Sequence, residues 1–198
     1  MKKAKKVVAL ALCAVMLVVG SVAGTMAYLT STTAVANNTF SVGNVTITLD
    51  EAPVDVYGAV VAGNRVTANS YKLIPGHSYV KDPVVHVDKA SENCWLFVKV
   101  TNEIAAIEDA TTIADQMTTL GWTKVNGETD VYAYNAIVNA DDANGTDVKV
   151  FETFKVKGDA AVASYAGKSI KVQAYAVQAD GFTTSNDAWT NAKASWGF

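Results

Sequence analysis

Beyond residue 40, the chain consists mostly of short runs in which apolar and polar residues alternate, separated by Gly, Asn, Asp and Pro. The clearest run is 169–179, in which an apolar residue occupies every even position from 170 to 176. Because successive side chains of a strand point to opposite faces, this period of two predicts a β-strand with one buried face. Residues 147–156 show the same alternation and predict a second strand of this kind.

One segment, 94–101, is apolar on both faces, since Trp95 and Phe97 alternate with other large apolar residues. Such a strand is typically central in its sheet or covered by another element. Near residue 40 the alternation of apolar and polar residues changes phase, and Gly43 lies at the change. Phe40 and Val42 have even numbers, whereas the next apolar residues, at 45, 47 and 49, are odd, and this predicts a bulge or bend.

Two segments have helical spacing instead. In 110–120 the apolar residues fit one helix face and are flanked by candidate cap and stop residues: Ile113, Met117 and Leu120, with Asp109 or Thr111 as the cap and Gly121 as the stop. In 185–196, Trp189 and Trp196 are seven residues apart, which places both on one face of a helix.

Two turns are also indicated. Pro75-Gly76 predicts a type II turn, because Pro fixes φ and Gly accepts a positive φ. The loop Asp141–Asp147 contains Asn144-Gly145, and we interpret it as a hairpin loop between strands at 131–138 and 148–156. Many strands, short turns and one or two inserted helices favour a mainly β fold, an antiparallel β-sandwich. At this point a jelly roll and an immunoglobulin-like Greek key are both open.

The first 27 residues have the organisation of an export signal. Four lysines at the start are followed by the apolar stretch 7–23 and by a small-residue exit, which predicts a signal helix and cleavage between Ala27 and Tyr28. An uncleaved anchor is an alternative, because the apolar stretch is near the lower limit for a membrane span. A lipoprotein modified at Cys13 is another, although Leu12 precedes it where a small residue is expected.

Cleavage would leave one domain, 28–198, with a sizeable core and a membrane association only before cleavage. The signal carries four of the 16 basic residues and no acidic residue, so 12 basic and 19 acidic residues remain, and the net charge is −7. This balance argues against a nucleic-acid partner. Cys94 is the one cysteine left, which excludes an intramolecular disulfide.

Candidate catalytic and metal-binding residues are few. His77 and His86 are the two histidines, and no HExxH motif is present, so we interpret both as structural. We expect Cys94 to be a buried, unreactive thiol. The loop Asp141–Asp147 has oxygen ligands at short spacing but lacks the closing Glu of an EF-hand, and we interpret it as a solvated loop rather than a calcium site. Glu103, Glu108 and Asp109 are expected to serve solvation and capping. We predict no enzyme, no catalytic residue, no metal and no cofactor.

Four parts of the chain, taken in order, carry a family resemblance. They are the junction Gly24-Thr25-Met26-Ala27-Tyr28-Leu29-Thr30 with 38–45; Leu73-Ile74-Pro75-Gly76 with Lys81-Asp82-Pro83; Tyr132-Ala133-Tyr134-Asn135 with Phe151; and 169–174 with 178–182. Together they resemble the TasA/camelysin family, in which the second and third parts are the turn into the next strand and the paired central strands, and the fourth is the last core strand.

The resemblance implies a jelly-roll sandwich that a Gram-positive bacterium exports through a dedicated signal peptidase of the SipW type. It also implies assembly into extracellular fibres of the biofilm matrix, with the chain itself or related matrix subunits as partners. In such fibres the mature N-terminal segment of one subunit pairs into the sheet of the next. The family name also carries a claimed metalloprotease activity, but no recognisable zinc motif exists here, so no catalytic residue is carried over.

The candidate donor strand is 28–38, with Leu29, Val35 and Phe40 as apolar plugs. Its threonines suit an extended chain, and an extended segment can satisfy an exposed sheet edge of a neighbour. The alternative is a flexible N-terminal arm. Two other functions stay open: a monomeric surface-binding module using exposed aromatics such as Tyr57, Tyr71 or Tyr79, and a metallopeptidase in which His77 and His86 converge with an acid.

Overall fold

The computed structural model describes residues 44–140 and 145–198, which form mainly antiparallel β-structure with two short α-helices. Val42–Phe198 make up one compact unit of the chain. The predicted signal helix, the cleavage site, the phase break at Gly43 and the candidate donor strand lie outside the described residues, as does most of the loop Asp141–Asp147.

Nine strands are described, and we number them in chain order: β1 Ile47–Asp50, β2 Ser78–Val80, β3 Val84–Val87, β4 Cys94–Asn102, β5 Trp122–Lys124, β6 Val131–Tyr134, β7 Thr146–Lys149, β8 Thr153–Lys155 and β9 Ile170–Gln178. They form a four-stranded sheet in the order β5-β6-β4-β9, a three-stranded sheet β1-β3-β7 and a pair β2-β8. All the described pairings are antiparallel. This confirms the mainly β, antiparallel prediction.

The helices are α1, Ile113–Thr119, and α2, Ser185–Ala192, and three short 3₁₀ segments accompany them at Ala105–Ile107, Val162–Tyr165 and Lys193–Trp196. The predicted helix at 110–120 is therefore shorter than expected. Neither Asp109 nor Thr111 is its cap: the Thr112 side chain accepts from the Asp115 backbone N–H, and Asp115 reciprocates in a capping box. The stop is confirmed, because Gly121 follows the helix with φ +93°.

One buried cluster lies among the sheets and joins residues of all three. It includes the even-numbered face of β4, Leu96, Val98 and Val100, together with Val85 and Val87 of β3, Val148 of β7 and Phe154 of β8. The other face of β4 carries Trp95 and Phe97 in a second cluster with Ala188 and Trp189 of α2. The prediction that β4 is central and covered on both faces is thus confirmed, since β6 and β9 flank it and each face has its own cluster.

The prediction of a hairpin between 131–138 and 148–156 is wrong. β6 pairs with β4 and β5, whereas β7 pairs with β3, so the connection between β6 and β7 passes from one sheet to another. The family-based expectation that 132–135 and Phe151 belong to paired central strands fails with it. The predicted continuous strand 147–156 is also two strands, because the chain leaves β3 after Lys149 and pairs with β2 from Thr153.

The turn at Pro75-Gly76 is confirmed. Gly76 has φ +77°, and the His77 backbone N–H donates to the Ile74 carbonyl at 3.2 Å, as a four-residue turn requires. This turn leads into β2 and places the loop 52–77 beside the end of β1, where Glu51 and Val66 form a bridge.

Candidate functional site

The outer edge of β9 is the first candidate site. Within 44–140 and 145–198, this nine-residue strand pairs with β4 along its whole length and with no strand on its other side. Such an edge presents a row of unpaired backbone N–H and C=O groups, which is a template for another extended segment. β9 contains no proline and carries one charged residue, Lys171.

The side chains of β9 that face the main core are only partly buried. They are Ile170, Val172, Ala174 and Ala176, and they pack against the core cluster without being fully covered. The apolar residues of β1, at the edge of the three-stranded sheet, and of the segment before it are also only partly buried against the core: Val45, Ile47 and Leu49. Two edge strands with incompletely covered apolar rows therefore contact each other at one side of the main core.

A cavity of about 600 Å³ opens at the start of β9. Its walls come from the segment 69–73 and from residues 162–170, and Ile104 and Phe154 contribute further apolar surface. Tyr71 projects beside it, held by an edge-on contact with Phe154 at 5.3 Å and by donation from its hydroxyl to the Val80 carbonyl at 3.0 Å. The cavity is of a size that accepts one or two large apolar side chains.

A charged network covers the outer face of the three-stranded sheet. His86, in the middle strand, contacts Asp147 of β7 through Nδ1 at 2.6 Å and Asp50 of β1 through Nε2 at 2.9 Å. Burial lowers the pKa of His86, but the hydrogen bonds and charges of the two aspartates outweigh that effect, so its pKa is raised above 6.5. The imidazole therefore joins three strands.

Arg65 extends this network from the loop above the sheet. Its Nε donates to Asp50 at 2.5 Å and its Nη1 to Asp82 at 3.1 Å, while Nη2 donates to the Asp82 carbonyl at 2.9 Å. Burial raises the pKa of Asp50, and the partners His86 and Arg65 more than offset this, so the net pKa is lowered. The arrangement fastens the loop 52–77 to the sheet and leaves each of these charges paired.

The two histidines do not converge on a common partner. His77 is bound through Nε2 to the Tyr57 carbonyl at 2.8 Å and lies edge-on to Tyr79, whereas His86 is engaged by two aspartates. In the part of the chain that the structure describes, no group of three or more His, Cys, Asp or Glu side chains is arranged to hold a metal ion. Asp147, the described end of the predicted loop, is bound to His86.

The roles predicted for Cys94 and for the three acidic residues before α1 are confirmed for some of these residues and wrong in part for Glu108. Cys94 is fully buried, and burial raises the pKa of its thiol to about 11, as expected for an unreactive cysteine. Glu103 and Asp109 are partnered at the surface, by Ser169 and Lys155. Glu108 is buried rather than solvated, since it is 5% exposed and burial raises its pKa. The expectation of a capping role agrees with its hydrogen bond, because it accepts from the Ile113 backbone N–H at the start of α1.

The expected patch of exposed aromatics is wrong in two of its three members. Tyr79 is 1% exposed and stacks on Phe154 at 4.7 Å, and Tyr71 is partly buried. Tyr57 is exposed, and its neighbours in the same loop are aliphatic: Val56, Val60 and Val61.

Sequence reasoning missed the partners of His86, because Asp50 and Asp147 lie 36 and 61 residues away from it. A period-two reading does place all three on outward positions of strands, which is the one local signal of this network. Ala27, Tyr28, Leu29, Val35 and Phe40 are outside the described residues. Among those described, no helix has the length and apolar character needed to cross a membrane.

We compared the chain with protein-family models, with curated proteins and with solved structures, and none of the three comparisons gave a match.

Proposed function

We propose that the mature chain is a secreted structural subunit of a Gram-positive bacterium and forms extracellular matrix fibres by donor-strand addition. In this proposal the fold is a jelly-roll-like sandwich of the TasA/camelysin type. The observation that carries it is the outer edge of β9, which has nine residues and no described strand hydrogen-bonded to it. A segment such as 28–38 of a neighbouring subunit would add to that edge.

The partly buried row on β9 supports the same assignment. An added strand would cover Ile170, Val172, Ala174 and Ala176, and an apolar plug would enter the cavity beside Tyr71. Burying the three plugs Leu29, Val35 and Phe40 would contribute roughly 5–9 kcal/mol. Ordering the donor backbone costs about 1–2 kcal/mol per residue. The backbone hydrogen bonds to β9 must therefore supply much of the driving force.

Head-to-tail addition of this kind does not close on itself, because the donor and acceptor surfaces differ. The product is an open filament of the chain itself or of the chain with related matrix subunits. Its formation requires release of the donor segment by the signal peptidase, since the uncleaved signal would tether that segment to the membrane.

The acceptor edge can be tested with two matched charge substitutions on β9. Val172→Glu places a carboxylate in the partly buried row, whereas Gln173→Glu places one on the exposed, opposite face of the same strand. We expect Val172→Glu to abolish filaments seen by electron microscopy while the far-ultraviolet circular dichroism of the monomer is retained. Gln173→Glu should form filaments as the wild type does. Filaments of normal length from Val172→Glu would contradict the assignment of this edge.

A second candidate function is a surface-binding module. The loop 54–61 exposes Val56 by 48%, Tyr57 by 47% and Val60 by 60%, and contiguous exposed apolar residues commonly mark a binding surface. Substituting Tyr57 and Val60 by Ser distinguishes the two functions. If the chain is a fibre subunit, the variant should still polymerise. If the chain is a binding module, the variant should lose its attachment to cells. Among the residues that the structure describes, His77 and His86 have no contact that favours the metallopeptidase alternative.

A further inference from the structure

Three polar side chains from separate parts of the chain meet beneath the loop 52–77. Glu51 follows β1, Lys81 follows β2, and Asn69 lies on the loop between them. Lys81 Nζ is 2.5 Å from Glu51 Oε2, and Asn69 Nδ2 is 3.0 Å from Glu51 Oε1. One carboxylate therefore holds an amine and a carboxamide on its two oxygens.

Glu51 and Lys81 are largely removed from water, whereas Asn69 is half-buried, and Lys81 and Asn69 line the cavity at the start of β9. The side chains of Lys81 and Glu51 are 10% and 5% exposed, and Tyr71 lies close enough that burial and then the Glu51 carboxylate raise the pKa of its phenol. A buried ion pair gains little stability over apolar residues of the same size. Stability alone therefore does not explain why a lysine, a carboxylate and an amide are gathered at this site.

The Asn69 carboxamide is also held in an activating geometry. Its Oδ1 accepts from the Val54 backbone N–H at 3.0 Å, while its Nδ2 donates to the Ala52 carbonyl at 2.9 Å as well as to Glu51. A backbone donor on the carbonyl oxygen stabilises negative charge that develops there during attack on the carbon. The amide nitrogen faces a carboxyl group that can protonate it as it leaves.

We propose that Lys81 and Asn69 join in an intramolecular amide (isopeptide) bond, with Glu51 as the proton shuttle. A proton passes from Lys81 Nζ to Glu51 along their hydrogen bond, and the neutral amine attacks Asn69 Cγ. The Nζ–Cγ bond forms and the Cγ–Nδ2 bond breaks. The proton held by Glu51 goes to Nδ2, which leaves as ammonia, and the second proton lost from Nζ leaves with it as ammonium. Glu51 ends as a carboxylate, and no oxidant or cofactor takes part.

Lys81 Nζ and Asn69 Nδ2 bind the two oxygens of the same carboxylate, so rotation of the flexible four-carbon stem of Lys81 would bring its amine to Asn69 Cγ. Holding the reactants together within one folded domain replaces a very slow bimolecular reaction by an intramolecular one. The product closes the chain between residues 69 and 81 and fixes the loop 52–77 to β2. This cross-link would strengthen the folded domain whether or not the domain forms fibres, so it does not rest on the proposed function.

The decisive experiment is the intact mass of the wild-type mature protein, measured under denaturing conditions. Loss of one ammonia lowers the mass by about 17 Da relative to the sequence. Digestion with trypsin should then release residues 66–72 and 73–89 as one branched peptide, uncleaved at Lys81. A mass equal to that of the sequence, with residues 66–72, 73–81 and 82–89 released as three separate peptides, would overturn the proposal without any variant.

A pair of carboxylate variants tests the shuttle. Glu51→Gln should have the full mass of its sequence. Its control is Glu152→Gln, which removes a carboxylate that is also bound to a lysine, Lys149, but at the surface. The control should keep the loss of about 17 Da. Loss of the same mass from a folded Glu51→Gln protein would show that Glu51 is not the shuttle. If Glu51→Gln does not fold, Asn69→Ala replaces it, and a mass loss in that variant would refute the assigned acceptor.

Discussion

Trp189 is the side chain through which α2 covers the outer face of the four-stranded sheet, and its removal should weaken the whole domain. The residue is 2% exposed, and the centroid of its ring lies 5.2 Å from that of Phe97 and 5.6 Å from that of Trp196. Its Nε1 donates to Glu128 at 3.0 Å. We expect Trp189→Ala to lower the free energy of unfolding by about 3–5 kcal/mol, the range for truncating a buried aromatic residue.

Trp189→Phe separates packing from hydrogen bonding, because it keeps an aromatic ring and loses the bond to Glu128. Its expected loss is about 1–2 kcal/mol, since the net value of one hydrogen bond is about 1 kcal/mol and the smaller ring leaves some space. Urea unfolding followed by far-ultraviolet circular dichroism measures both values from the midpoints and slopes. A loss below about 1 kcal/mol for Trp189→Ala would refute the view that α2 is part of the core.

Two further predictions concern the charged network and the loop 52–77. His86→Gln should lower the free energy of unfolding by up to about 1 kcal/mol near pH 5.5 and by little near pH 9. The reason is that the pKa of His86 is raised in the folded protein, which stabilises the fold below pH 6.5, and this stabilisation is lost as the pH rises through the pKa of the folded state. An equal loss at both pH values, measured by urea unfolding, would contradict this. Gly58→Ala should lower the melting temperature far more than Gly127→Ala: both glycines have φ near +80°, but a Cβ at Gly58 would lie 2.8 Å from Tyr79 atoms, whereas one at Gly127 meets nothing within 4 Å. Equal shifts in the two variants would refute the close approach to Tyr79.

The sequence predicted where the strands lie along the chain better than it predicted which strands pair with each other. β4 and β9 were both expected from local alternation, and the two-sided apolar pattern of β4 correctly indicated its central position. Gly145 itself requires glycine, since it has φ +80° and a Cβ there would lie 2.6 Å from the Val87 carbonyl oxygen, whereas Asn144 lies outside the described residues. The hairpin predicted from Asn144-Gly145 was wrong because the choice of pairing partner depends on burial across the whole sheet, which a turn does not encode.

The candidate sites were less accessible to sequence reasoning. Lys81 and Glu51 are 30 residues apart, and Asn69 is 18 residues from Glu51, so no motif spacing connects the three. Glu108 was expected to serve solvation and capping because it lies in a loop before the predicted helix, but it is buried, with hydrogen bonds to Asn102 at the end of β4 and to Ile113 at the start of α1. The unpaired edge of β9 follows from the strand order, which alternation alone does not determine.

Electron microscopy of the mature protein, produced from Tyr28 and compared with a protein that lacks 28–38, tests the central claim most directly. After concentration and mild acidification, the account predicts regular filaments a few nanometres wide from the first protein and folded monomers from the second. Filaments from the shortened protein would contradict the donor-strand account. Monomers from both proteins under all these conditions would contradict the claim that the chain polymerises on its own.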